Sequence, residues 1–142
     1  MPFEIKLIES ENLSSIIPLL KLLNPTMTDE LLIKRLNEIQ EYNYNCIGIY
    51  QQDKLVGISG FWILYKIYSG KHIEPDNVII DPSYRNQNLG AALMKWIHDY
   101  AAENNCNTSE LNCFTNNHKG YKFWIEQGYE IIGFHMIKKI QG

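Results

Sequence analysis

The sequence predicts an α/β chain folded as a single domain over residues 1–142, a mixed β-sheet with helices on its faces. Three observations lead there. With 142 residues, the chain is near the commonest domain size and can bury one core without disulfide or metal staples. Hydrophobic residues make up 45% and charged residues 20%, an ordinary globular balance that excludes a disordered tail. β-rich runs crowd the middle of the chain, and strand-like and helix-like runs alternate afterwards.

Taken in order, residues 3–8 alternate as a first strand. Residues 12–23 carry helical spacing, with Pro18 placed to kink or restart the helix and Asn24-Pro25 to stop it. Thr26-x-x-Asp29 reads as a capping box opening a second helix, in which Leu32, Leu36 and Ile39 recur at helical spacing. Residues 46–50 and 55–65 form a hairpin about Gln52-Asp53-Lys54, and residues 73–80 form a strand closed by Asp81-Pro82. Residues 89–102 form a helix with Leu89, Leu93, Trp96, Ile97 and Tyr100 on one face. A strand over 109–114, a helix over 118–127 ended by Gly128, and one long strand or a tight pair over 129–140 complete the chain.

Charge and cysteine usage narrow the function. Thirteen Lys and Arg against sixteen Asp and Glu give a net charge of −3, which argues against a general nucleic-acid binder. Cys46, Cys106 and Cys113 have no metal-ligand spacing, and an odd count speaks against a secreted disulfide scaffold. The start of the chain lacks a basic, apolar leader, and no apolar run nears the ~18–20 residues of a membrane span. The expectation is a cytoplasmic protein without membrane partners.

The informative stretch runs from Val78 to Leu93. A buried strand enters a turn, and the turn opens directly into a helix that begins with the small residues Gly90, Ala91 and Ala92. Such a turn aims backbone N–H groups and the positive end of the helix at one point, an arrangement that suits a phosphate.

Here the sequence resembles the GNAT N-acetyltransferase superfamily over essentially the whole chain. Ile80-Asp81-Pro82-Ser83-Tyr84-Arg85 is similar to the family's V-x-P-x-Y-R approach to its acetyl-CoA site. Arg85-Asn86-Gln87-Asn88-Leu89-Gly90 is similar to the (Q/R)-x-x-G-x-(G/A) loop, with Asn88 in place of the first glycine. Asn tolerates left-handed backbone better than most residues. Asn117-x-x-Gly120-x-x-Phe123-Trp124-x-x-x-Gly128-Tyr129 echoes a second motif, N-x-x-A-x-x-F-Y-x-x-x-G-F.

The resemblance implies a twisted, mostly antiparallel sheet of six to seven strands with about four helices. It implies acetyl-CoA as co-substrate and no metal. Backbone groups of Val78, Ile79 and Ile80 would pair with the pantetheine arm. Main-chain N–H groups of Arg85, Asn86, Gln87, Asn88, Leu89, Gly90 and Ala91 would hold the pyrophosphate. The Asn117 side chain would touch the cofactor, and Phe123 and Trp124 would flank its thiol end.

Amine acetylation also needs a proton acceptor, because an alkyl ammonium titrates near ~10.4. Glu74 and Asp76 precede the cofactor strand and share parity with Val78 and Ile80, so the sequence places all four on one side as candidates. The family's phenol, which protonates the departing thiolate, falls at Trp124, whose indole is a donor only. Tyr121, one turn earlier, is the candidate substitute. The implied partner is a small-molecule amine. Alternatives are a protein N-terminus or lysine as acceptor, or a weakened acyl-CoA-binding regulatory module; exposed aromatics would also permit a homodimer.

Overall fold

Strands β1 (Phe3–Leu7), β2 (Asn45–Gln51), β3 (Lys54–Lys66), β4 (Gly70–Ile80) and β5 (Thr108–Ser109) lie in that spatial order in one sheet. The coordinates are a computed structural model that describes residues 2–142. Every junction is antiparallel except β4–β5, which is parallel. The sheet is therefore mixed and mostly antiparallel, as expected, but it has five strands rather than six to seven. Two expectations fail together. The strand expected over 109–114 ends at Ser109, with one further ladder-like bond from the Glu110 amide to the Ile73 carbonyl at 3.0 Å. Residues 129–140 have no regular structure. Alternation alone does not make a strand; a hydrogen-bonded neighbour does, and after Tyr129 this segment has none among the described residues.

A 3-10 stretch, Ser10–Ile16, runs into α1 (Ile17–Leu23), with Pro18 in the first turn where its missing N–H costs nothing. Helix α2 (Asp29–Gln40) is capped by Thr28, whose hydroxyl accepts from the Leu31 amide at 3.1 Å. The cap is thus Thr28 and not Thr26, because the Met27 amide bonds back to Asn24 and keeps Thr26 in the preceding turn. Helices α3 (Leu89–Glu103) and α4 (His118–Glu126) follow. Gly128, at φ 96°, ends α4: its amide bonds to Ile125 and the next amide, of Tyr129, bonds to Trp124, a Schellman pair. Among the described residues no helix is long and apolar enough to cross a membrane.

The helices cover opposite faces of the sheet. Leu20, Leu32 and Leu36 of α1 and α2 pack with Tyr44, Cys46, Ile58 and Ile79, while Leu93, Met94 and Ile97 of α3 pack with Ile47, Val56, Phe61 and Ile73. Along β4 these assignments reveal a break in parity. Ile73 belongs to the α3 face, yet so do Val78 and Ile80, and Ile79 belongs to the α1–α2 face. The register explains it, moving from Gly60↔Asp76 to Ile58↔Ile79, so β4 carries one extra residue.

Asn77 absorbs that residue at φ 57°. The expectation that Glu74 and Asp76 share a face with Val78 and Ile80 is therefore wrong. They lie on the α1–α2 face, because the bulge turns the strand over between Asp76 and Val78.

Tyr44 holds the bulge, its buried hydroxyl donating to Asn77 Oδ1 at 3.1 Å. Gly60 makes room for it, since a Cβ there would stand 2.1 Å from that hydroxyl. Asn77→Ala removes both the left-handed tolerance and the acceptor, and should lower unfolding free energy by about 2 kcal/mol. Asn77→Gly keeps the backbone freedom and should cost roughly half as much in the same urea titration. Equal losses would mean that φ is not the constraint.

Candidate active site

The β4–α3 connection is shaped by short polar side chains. Asp81 accepts the Ser83 amide at 2.9 Å and opens a 3-10 turn, Pro82–Tyr84. Asn86 and Asn88 then adopt φ 65° and 59° on either side of Gln87. Asn88 therefore takes the left-handed conformation that the absent glycine would supply. It is the N-cap of α3, but its side chain makes no capping bond. The first bond into the helix runs from the Ala92 amide to the Asn88 carbonyl, at 3.1 Å. The amides of Leu89, Gly90 and Ala91 are thus left for a ligand at the positive end of a 15-residue helix. Together with Arg85 at the turn, these amides have the chemistry to hold a phosphate. Gly90 also has a packing reason to be small, because a Cβ would sit 3.2 Å from the Phe123 ring on α4.

Next to this turn, β4 and β5 part. Their ladder covers only His72↔Thr108 and Ile73↔Ser109. Beyond it, Val78, Ile79 and Ile80 have β3 on one side and no backbone partner on the other among the described residues. An open edge of this kind accepts an amide-bearing chain in the manner of an added strand.

The two acids diverge in environment. Asp76 lines a cleft of about 230 Å³ whose other walls include Leu20, Met27, Leu32, Ile39 and Trp62. Trp62 Nε1 donates to Asp76 Oδ2 at 3.0 Å and orients the carboxylate. Glu74 instead turns to His72, its Oε1 3.6 Å from Nε2. His72 is fully buried, its Nδ1 lies 3.8 Å from Glu110 Oε2, and neither ring nitrogen makes a hydrogen bond. Burial opposes the Glu110 charge, but the Tyr68 hydroxyl, His72 and Thr108 outweigh it and hold that carboxyl below its ordinary range.

On α4, Asn117 accepts the Gly120 amide at 2.9 Å and folds over that glycine, where a Cβ would meet its Nδ2 at 2.3 Å. The side chain expected at the cofactor is thus the helix cap, with its Nδ2 lying over Gly120. Phe123 and Trp124 are half-buried against the α3 core, their rings edge to face at 4.8 Å. Tyr121 stands exposed and, with Ile125 and residues 128–131, lines an open groove of about 490 Å³. Tyr129 is a tie between elements: its hydroxyl meets Ser109 Oγ at 2.6 Å and His98 Nε2 at 2.9 Å. Burial pushes its phenol upward.

Sequence reasoning missed Trp62 as the partner of Asp76, the Tyr44–Asn77 bond, and the enclosure of His72 by two glutamates. Only Trp62 had a signal, its place in an aromatic run on an alternating strand. His72 and Glu110 are brought together by strand pairing alone.

An uncapped helix end, an open strand edge and a carboxylate thus meet on β4 and its exit. The family model of the acetyltransferase (GNAT) family matches residues 16–129, and the chain belongs to that family. It is an acetyltransferase that uses acetyl-CoA. No curated protein matches the sequence significantly.

Solved structures agree in fold. Glucosamine-6-phosphate N-acetyltransferase from Arabidopsis thaliana is 23% identical with TM-score 0.74, over 99% of this chain and 100% of that one. Ribosomal-protein-alanine N-acetyltransferase from Brucella melitensis biovar Abortus 2308 is 20% identical with TM-score 0.81, over 99% and 100%. AAC(6')-Iy, solved with the bisubstrate analogue CoA-S-monomethyl-acetylneamine, is 14% identical with TM-score 0.84, over all of both chains.

Two expectations can be measured here. Asn88→Asp keeps a left-handed-tolerant residue and adds a charge that the helix end favours, so the unliganded melting temperature should hold or rise. The same charge opposes a pyrophosphate, and calorimetry should show CoA affinity falling about 10-fold or more. Unchanged affinity would place the phosphates elsewhere.

The second expectation concerns His98, whose pKa is lowered by burial, with Asp99 partly opposing. The unfolded chain then holds the proton more tightly, so stability falls as pH drops below about 6.5 toward the lowered folded value. Urea titrations from pH 8 to 5 should show that acid slope in the wild type and a flatter one in His98→Gln.

Proposed function

We propose that this acetyltransferase acts on a primary amine of a small molecule, by direct attack on the thioester within a ternary complex. The carrying observation is Asp76, the ionisable group of a mostly apolar cleft that Asn24 and Asn77 also line, two residues before the open edge at Val78. A lone carboxylate there attracts an ammonium, and the apolar walls favour its neutral form. Trp62 occupies Oδ2, which leaves Oδ1 to take the amine proton. The cleft, at about 230 Å³, lies below the ~300–1,000 Å³ of drug-sized sites. It therefore suits an aminoalkyl group better than a folded protein surface.

In this reading Glu74 acts through His72 as a positioning residue, and the amides from Arg85 to Ala91 hold the pyrophosphate. Val78 to Ile80 pair with the pantetheine amides, Asn117 Nδ2 donates to the same arm, and Phe123 and Trp124 shield the thiol end. Trp124 cannot protonate a thiolate, so the role of acid passes to Tyr121, the phenol of α4. The cysteines are unpaired, which fits a reducing cytoplasm as the place of action.

The test is release of free CoA thiol across a panel of small amines. Asp76→Asn should lower kcat/KM by about 100-fold near pH 7 with CoA affinity unchanged, and the deficit should shrink toward pH ~10 as the amine loses its own proton. Tyr121→Phe should lower kcat by about 100-fold at constant CoA affinity. Tight acetyl-CoA binding without turnover on any amine would replace this reading with a regulatory acyl-CoA binder.

A further inference from the structure

We propose that Glu74 and Glu110, with His72 buried behind them, form a second cation subsite, and that the acceptor is a linear alkane diamine whose far ammonium rests there. The inference rests on the reading of Asp76 as the group that receives the reacting amine, and extends it to the other end of the substrate. Strand pairing builds the subsite. The parallel register His72↔Thr108 and Ile73↔Ser109 brings Glu110 level with Glu74 on the neighbouring strand. His72 stands one step back on the same face, fully buried, with Nε2 3.6 Å from Glu74 Oε1 and Nδ1 3.8 Å from Glu110 Oε2. Both separations exceed a hydrogen bond, so neither ring nitrogen has a partner among the described residues. Buried polar atoms left in this way, and aimed between two carboxylates, mark a place that a ligand completes.

Charge and spacing select the ligand. The side chains of Glu74 and Glu110 keep 27% and 20% of their surface exposed, so a ligand atom can reach them. Glu110 accepts from the Tyr68 hydroxyl, and from Thr108 Oγ1 at 3.3 Å. Among the described residues neither acid has a Lys or Arg within ion-pair distance. An imidazole answers at most one of the two negative charges even when protonated, so the pair attracts a further cation. Among the described residues no group of three or more His, Cys, Asp and Glu is placed to hold a metal ion, which favours an organic cation. Glu74 and Asp76, two residues apart on one face, lie about 6–7 Å from each other along β4. Trp62 fills the interval: it is the cross-strand partner of Glu74, and its Nε1 reaches Asp76 Oδ2 at 3.0 Å. Its indole gives a methylene chain an apolar track between the two acids. A ligand that meets all three features has an ammonium at each end and an alkyl chain of matching length, as in 1,4-diaminobutane.

The test measures release of CoA thiol from acetyl-CoA near neutral pH with 1,4-diaminobutane, 4-aminobutan-1-ol and 1-aminobutane, which share a chain and differ at the far end. The expected kcat/KM is at least about 10-fold higher for the diamine than for either monoamine, with the gain in KM and well beyond the statistical advantage of two equivalent ends. 1,2-Diaminoethane, too short to span the two acids, should gain nothing over ethylamine beyond that advantage. Glu110→Gln keeps the shape of the side chain and an acceptor for Tyr68, and should reduce the preference for the diamine to the statistical one. A merely structural role for Glu110 would lower all three amines together and leave the ratio intact, which overturns the proposal. Equal kcat/KM for the three amines in the wild type overturns the subsite whether or not the variant folds, and leaves the role of Asp76 standing. No thiol release from any of these amines by protein that binds acetyl-CoA overturns both the subsite and the reading on which it rests.

Discussion

The bulge at Asn77 sets the geometry of the site, because β4 has to serve two faces of the sheet within five residues. Up to Asp76 its even-numbered side chains look toward α1 and α2; from Val78 they look toward α3. One left-handed residue produces that reversal. It sets Asp76 in the mostly apolar cleft against α1 and α2 and, two residues later, presents Val78 and Ile80 to the other layer. A regular strand would put Asp76 on the α3 face with Val78 and Ile80. Tyr44, Gly60 and Trp62 form the support: one bonds the bulge, one makes room for that bond, and one aims the carboxylate.

The exit of β4 into α3 is made of backbone more than of side chains. Left-handed asparagines at 86 and 88, three uncapped amides and an open strand edge supply its donors and acceptors. Such groups act at contact range, whereas a net charge of −3 is screened beyond ~10 Å. An acidic chain can therefore bind an anionic carrier. Backbone geometry also tolerates wide substitution, consistent with folds shared at 14–23% identity.

Helix α4 closes the arrangement through small contacts. Phe123 rests on Gly90, Asn117 caps the helix, and Tyr129 joins its exit to Ser109 of β5 and His98 of α3. These ties fix the separation of the layers at the point where β4 and β5 diverge. The hydroxyl of Tyr129 is committed to that task, which leaves Tyr121 as the phenol of this region open to solvent.

Local chemistry was legible in the sequence. Pro18 restarted a helix, Gly128 ended one, Asp81-Pro82 closed β4, and Asn88 adopted the backbone of the glycine it replaces, because each effect acts within a few residues of its cause. The turn that opens α3 was readable for the same reason. Parity beyond Asp76 was not, since a bulge belongs to the register between two strands and Asn77 carries no mark of it alone. The cap at Thr28 was misplaced by two residues because a turn bond from Met27 decided it. Residues 110–114 and 129–140 have the alternation of strands, but a strand exists only where a neighbour takes its hydrogen bonds. Likewise, His72 lies between Glu74 and Glu110, and Asp76 beneath Trp62, only through cross-strand pairing. The sequence by itself determined the helices, the first four strands, their order and the turn that opens α3; the tertiary structure decided which face each acid occupies and which strands find partners, because pairing is a property of two segments and is written in neither.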